Sequence, residues 1–288
     1  MLKAHYRIPV IWLLLFVFEV PANAQKLASK QKAVSNQEAE TGSWKKYYLR
    51  RASDDYAFYW TEKRLPLELR REPIVNWTNP LEEGQINGST FVWEHEGRPI
   101  VIGQLFSYRV GDGKRSLCHV FSSLTDETIS GERDGRVFWE PAVPKESGWQ
   151  TFSAAGNPAE QRSGRLLQMR RLARGFEAFT EEASRGKREL RLLQQPLYRT
   201  DEDLKDYDAG LFAYVVGTDP ELLILIECDD SADVPKWRYR MAQSTRSTTV
   251  ATFQKQTVYR YESSERVHQT IHATYLSHHG IDQIPADF

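Results

Sequence analysis

Gly210-Leu-Phe212-Ala-Tyr214-Val-Val-Gly217-Thr-Asp-Pro220-Glu-Leu222-Leu-Ile224-Leu-Ile226 is the stretch on which the fold turns. Two apolar runs flank a glycine, which is the pattern of a β-hairpin. The run Leu222–Ile226 is apolar at every position, so it predicts a central strand covered on both faces. The pattern recurs upstream as Phe91-Val-Trp93, Gly97, Pro99 and Ile100-Val-Ile102. Phe91 to Pro99 and Phe212 to Pro220 both span 8 positions, and Leu67 to Pro73 and Leu190 to Pro196 both span 6. Pro99 to Val137 and Pro220 to Val258 both span 38, so the offsets at the three landmarks are 123, 121 and 121. A fixed offset of this kind points to a copied supersecondary unit.

Working outward, each copy reads as a helix followed by strands. Asn157-Pro158 is a helix-start signal, and Leu166, Met169, Leu172, Phe176 and Phe179 follow at helical spacing. Arginines from Arg162 to Arg174 fill much of the remaining surface. Before the first copy, Ser43 is the cap candidate, followed by Trp44, Tyr48, Tyr56 and Tyr59, whose aromatics equally pattern a strand near Tyr56–Trp60. After the hairpins, Trp237, Tyr239 and Met241 alternate with Arg238 and Arg240, predicting apolar side chains inward and arginines outward. The expected class is therefore α+β, with two pseudo-symmetric repeats, each a helix followed by an antiparallel β-meander. The repeats are placed at 43–140 and 158–262, joined by a loop at 141–157 and followed by a polar C-terminal tail at 263–288.

The N-terminus carries an export signal. Lys3, His5 and Arg7 precede an apolar run from Ile8 to Val20, and Ala22-Asn23-Ala24 supplies the small-x-small cleavage pattern before Gln25. The run is shorter than the ~20 residues needed to span a bilayer, and no later segment could serve. Residues 1–24 are thus expected to be a cleaved signal peptide, 25–42 a polar flexible linker, and the mature protein secreted or periplasmic. Without Lys3, Arg7 and Glu19 the formal charge moves from −1 to −2. A chain this close to neutral lacks the basic field of a nucleic-acid binder. The two cysteines, Cys118 and Cys228, are either one disulfide, which an oxidising compartment permits, or two buried thiols.

Several strings carry a resemblance. They are Asn76-Trp77-Thr78-Asn79-Pro80, Gly88-Ser-Thr-Phe91-Val-Trp93, Leu166-Leu-Gln-Met169-Arg-Arg-Leu172-Ala-Arg174, Leu190-Arg-Leu-Leu-Gln-Gln-Pro196-Leu-Tyr198-Arg199 and Phe212-Ala-Tyr-Val-Val-Gly217-Thr-Asp219-Pro220-Glu221. Together they resemble an uncharacterised secreted protein family seen mostly in planctomycete bacteria, over roughly residues 44 to 262. The resemblance implies export and a shared architecture, and it brings no established activity. Leu117-Cys118-His119-Val120-Phe121 departs from it, standing where the family carries a more His- and Glu-rich strand.

Catalytic signals are absent. There is no Gly-x-Ser-x-Gly elbow. Cys118 and His119 are neighbours on a strand and so point to opposite faces. His268 and His272 have the i, i+4 spacing of a metal face, but Gln269 breaks the zinc-protease pattern. Asp201, Asp203, Asp206 and Asp208 crowd one loop, yet Asp206 occupies the position where a calcium loop needs glycine. No metal or cofactor is expected. Trp77, Trp93 and Tyr198 are candidates to line a binding groove. Glu227, ending an apolar strand, needs a cationic partner, with Arg238 and Arg240 the candidates. The expected function is a non-enzymatic binding or envelope-associated module for a protein, peptide or glycan partner. The alternative is an exported hydrolase with its site in the groove between the repeats, using Glu94 or Glu227.

Overall fold

The computed structural model describes residues 42–79, 85–111, 113–143, 148–182, 186–204, 207–229, 235–264 and 269–286. The expected signal peptide, nearly all of the linker, and His268 lie outside these residues. The first element is a helix, α1, over residues 42–55. Trp44, Tyr47, Tyr48 and Ala52 recur every three or four residues and form its buried face. The chain then extends into β1 (Tyr56–Trp60), where burial alternates. Of the two readings open for Tyr56 and Tyr59, the strand is the one adopted.

Strands β2 (Glu68–Leu69), β3 (Val75–Asn79), β4 (Ile86–His95), β5 (Arg98–Arg109) and β6 (Lys114–Ser123) follow, then β7 (Ile129–Arg133) and β8 (Arg136–Trp139). After the short β9 (Gln150–Thr151) come α2 (Arg162–Ala173), β10 (Phe176–Glu182), β11 (Gly186–Glu189), β12 (Arg191–Leu192) and β13 (Tyr198–Arg199). The chain ends through β14 (Ala209–Val216), β15 (Asp219–Asp229), β16 (Lys236–Gln243), β17 (Thr248–Phe253), β18 (Gln256–Tyr261) and β19 (Tyr275–Pro285).

These strands form four antiparallel sheets. Two are six-stranded inner sheets, β2-β4-β5-β6-β19 with β3 beside β4, and β12-β14-β15-β16-β9 with β13 beside β14. Two smaller outer sheets have the orders β1-β7-β8 and β11-β10-β17-β18. The architecture is thus mainly β with two short helices, which overturns the α+β class and the helix-plus-meander unit. The strand leaving each helix does not join the meander. β1 pairs with β7 and β10 pairs with β17, so each half divides its strands between two sheets. The apolar spacing assigned to α2 also ran too far. Gly175 ends the helix, its N–H donating to Leu172 O, and Phe176 and Phe179 lie in β10.

Local chemistry explains the hairpins. Glu96 and Gly97 both have positive φ, as do Asp134 and Gly135, the geometry of a type I′ turn. The β17–β18 tip has the same geometry without glycine, at Gln254 (φ 51) and Lys255 (φ 68). Leu222–Ile226 is buried on both faces, in keeping with its unbroken apolar run.

The core is layered. One face of the first inner sheet packs Phe91, Trp93, Leu105 and Phe121 against α1 and the β1-β7-β8 sheet. One face of the second packs Phe212, Ile224, Trp237 and Met241 against α2 and the β10 sheet. Between the inner sheets, Val92, Ile102 and Leu124 meet Leu211, Ala213, Leu223 and Leu225. Arg240 lies on this inner face, 1% exposed, instead of outside, because β16 belongs to a sheet covered on both sides. The expected polar tail is also structured. Its segment 275–285 is β19, the edge strand of the first inner sheet, with Tyr275, Leu276 and Ser277 buried.

Candidate functional site

The inner sheets are tied together and then part. Asn79 donates to Asp219 at 3.1 Å, Gln104 Nε2 donates to Pro220 O at 3.3 Å, and Ser122 Oγ donates to Gln243 O at 2.5 Å. Beside these ties lies a cleft of ≈ 210 Å³. At about 30 Å³ per water molecule, it has room for roughly seven waters, the scale of one small ring and not of an extended ligand.

The two walls differ in chemistry. From the first inner sheet come the apolar and aromatic Trp77, Phe106, Val120 and Tyr275, with His279 and the uncharged amides and hydroxyl of Asn79, Gln104 and Ser277 beside them. Trp77 and Phe106 rings pack at 5.6 Å, and the ring of His279 meets Phe106 edge-on at 5.5 Å. Gly88 makes this packing possible, since a Cβ there would stand 2.5 Å from Trp77 Cζ2. The opposite wall is polar. Asp219 and Glu221 come from the start of β15, on either side of Pro220 where the ladder to β14 shifts register; Glu182 and Arg188 come from β10 and β11, and Ser244 to Arg246 from the loop after β16. Three carboxylates face two guanidinium groups, so the wall offers donors and acceptors of both signs without a positive excess. Burial holds the Tyr275 phenol protonated far above its usual range.

Of the expected site residues, the cleft gathers only Trp77. Trp93 is a core side chain, packed edge-on to Phe58 at 4.7 Å. Tyr198 joins the halves by donating to Gly97 O at 2.9 Å, under the guanidinium of Arg70, and burial with the Glu94 charge raises its pKa. Glu227, 2% exposed, accepts from Tyr207 Oη at 2.5 Å and from Arg238 Nε at 2.7 Å. Burial raises its pKa while those two donors oppose the rise. Glu94 is paired with Arg70, so neither carboxylate named for the hydrolase reading lies in the cleft. Cys118 and Cys228 are buried in different sheets and are not joined to each other, and burial pushes the Cys118 thiol up to about 11. His272 bonds Glu140 O at the surface, and no group of three or more metal-type side chains exists among the described residues. Asp208, from the acidic loop, is clasped by Arg162, Arg165 and Arg199, which draw its pKa down against the effect of burial.

Sequence reasoning missed a polar chain behind the cleft that runs from buried Tyr56 and His119 through half-buried His278 to exposed Gln269. Tyr56 Oη lies 2.8 Å from His119 Nδ1, His119 Nε2 lies 3.2 Å from His278 Nδ1, and His278 Nε2 lies 3.3 Å from Gln269 O. The only signal was His119 inside the short apolar run Leu117–Phe121, and its partner stands 159 positions away.

Other hollows lie on the second half. One of ≈ 320 Å³ is lined by Phe152, Leu172, Trp237 and Phe253, and an open one of ≈ 620 Å³ runs along Phe179, Lys187 and Tyr214. Neither gathers polar groups from both inner sheets. No helix of the described residues is long and apolar enough to cross a membrane. No protein-family model, curated protein or solved structure matches this chain.

Proposed function

We propose that this chain is an exported, non-enzymatic binding module that holds a small neutral carbohydrate in the cleft between its inner sheets. The observation that carries the reading is the contrast of the two walls, aromatic on one side and charged with both signs on the other. A sugar ring has an apolar C–H face and a rim of hydroxyls that both donate and accept. An anion would gain nothing from a wall in which carboxylates outnumber guanidinium groups. Export is supported by the N-terminal basic, apolar and small-x-small pattern.

Titration calorimetry with glucose, N-acetylglucosamine and cellobiose tests the reading. At least one should bind, and Glu221→Gln should weaken it by about tenfold, the effect of losing roughly 1.4 kcal/mol. No heat with any of the three up to about 10 mM, affinity weaker than about −2.7 kcal/mol, would sink the proposal. Hydrolysis of cellobiose would favour the enzyme alternative, with Asp219 and Glu221 the carboxylates to replace.

A further inference from the structure

The chain Tyr56–His119–His278–Gln269 has a direction that its last member dictates. A backbone carbonyl only accepts, so His278 Nε2 carries the proton that points at Gln269 O. With both rings neutral, His278 Nδ1 must accept from His119 Nε2–H, and His119 Nδ1 must accept from the Tyr56 hydroxyl. Every position is filled: an added proton on His278 Nδ1 meets the His119 Nε2–H donor against donor, and one on His119 Nδ1 turns the Tyr56 hydroxyl from donor to acceptor.

The chain grips the strand that walls the cleft. On β19, Tyr275, Ser277 and His279 face the cleft, while Leu276 and His278 face the core behind it. β19 is an edge strand laddered only to β6. Its ladder breaks directly after His278, where residues 279–281 bulge opposite Cys118 and Gly280 has φ +71. Beyond the bulge, Asp282 is clasped by Arg51 and Arg133. An edge strand with an interrupted ladder belongs to the weakly protected end of a fold.

We infer that this hydrogen-bonded histidine chain is an acid-sensitive latch on the β19 wall of the cleft, closed near neutral pH and released as the solution acidifies. The inference rests on the cleft being the ligand site.

The groups facing the imidazoles favour release. Arg133 from β7 adds positive charge near His119, the imidazoles of His278 and His279 adjoin it from β19, Tyr56 from β1 offers a neutral hydroxyl, and Phe121 and Phe138 supply apolar surface. Neither ring hydrogen-bonds a carboxylate among the described residues, since Asp55 is held by Arg51 and Asp282 by Arg51 and Arg133. Burial above all keeps His119 well below 6.5 in the closed state. Opening of β19 lets water reach the ring and brings its pKa back toward 6.5, so opening at pH 5 should exceed opening at pH 7.5, with roughly thirtyfold the ceiling set by a fully exposed imidazole.

Hydrogen exchange on the ligand-free protein reads this directly. After correction for intrinsic rates, amides of residues 275–278 should open more at pH 5 than at pH 7.5 by several-fold beyond any change in amides of β15, and His119→Gln should abolish that excess. Equal pH dependence in β19 and β15, or an excess that survives His119→Gln, overturns the latch. Should the variant not fold, nitrogen-15 spectra of wild-type imidazoles decide: both rings must carry their proton on Nε2 at pH 7.5, and an Nδ1–H form of either refutes the chain. Failure of every sugar to bind would overturn the ligand reading alone, because neither measurement uses a ligand.

Discussion

His119 is 2% exposed and held neutral, and this sets a sign for stability as well as for local opening. Between its folded pKa and 6.5 the unfolded chain binds a proton that the folded chain refuses. Stability contributed by neutral His119 is therefore full above pH 6.5 and falls by about 1.4 kcal/mol per pH unit below it, levelling off only when the folded imidazole titrates. Urea midpoints for wild type and His119→Gln should diverge in this way between pH 7.5 and 5, and parallel curves would contradict it. Glu227→Ala would strand Arg238 and leave the Tyr207 hydroxyl without its acceptor, costing about 2–3 kcal/mol after allowance for the partly exposed guanidinium. Chemical denaturation measures that cost. Both thiols should resist a disulfide reagent until the protein opens, so modification at high reagent concentration should proceed at the unfolding rate. The need of Glu227 for a cation was legible from its place at the end of an apolar strand, and Arg238 answers it. The roles of Trp93 and Tyr198 were not legible, because a large aromatic suits a core and a groove alike, and only pairing across distant strands separates them.

At the scale of elements, what could be read locally was read well. The turns at Gly97 and Gly217, the doubly buried run Leu222–Ile226 and the alternation of Trp237, Tyr239 and Met241 are consequences of neighbours a few residues apart. Pairing partners are not local, which is why a single helix-plus-meander unit misses the outer sheets, where β1 pairs with β7 and β10 with β17. The helix reading overruns Gly175 because Leu172, Phe176 and Phe179 keep four- and three-residue spacings across the break. Two substitutions test the packing of elements. Gly88→Ala would drive a methyl into Trp77 and Phe106, and Gly103→Ala would drive one into Phe121 and Trp93. Each should cost about 1–3 kcal/mol in denaturant unfolding, as overpacking does. The β17–β18 tip points the other way. Gln254 and Lys255 hold left-handed conformations that Asn-Gly adopts at lower cost, so Gln254→Asn with Lys255→Gly should stabilise by about 1 kcal/mol. No gain would mean that the native tip is held by contacts beyond the turn.

Across the whole molecule, the inner faces of the two large sheets share one apolar cluster, reinforced by Arg240–Asp126, Arg70–Asp201 and Tyr198–Gly97. Residues 43–288 form one compact unit. A single cooperative melting transition is expected, with calorimetric and van't Hoff enthalpies in agreement, and two resolved transitions would show that the halves open separately. The charge reading and the absence of a catalytic motif were properties of the chain as a string; the cleft depended on which surfaces meet and could not be seen there. One feature reaches past the finished molecule. The first inner sheet is completed by β19, which pairs with β6 across 159 positions at His119 and His278, so strands made early must wait, one edge bare, while the whole second inner sheet is synthesised.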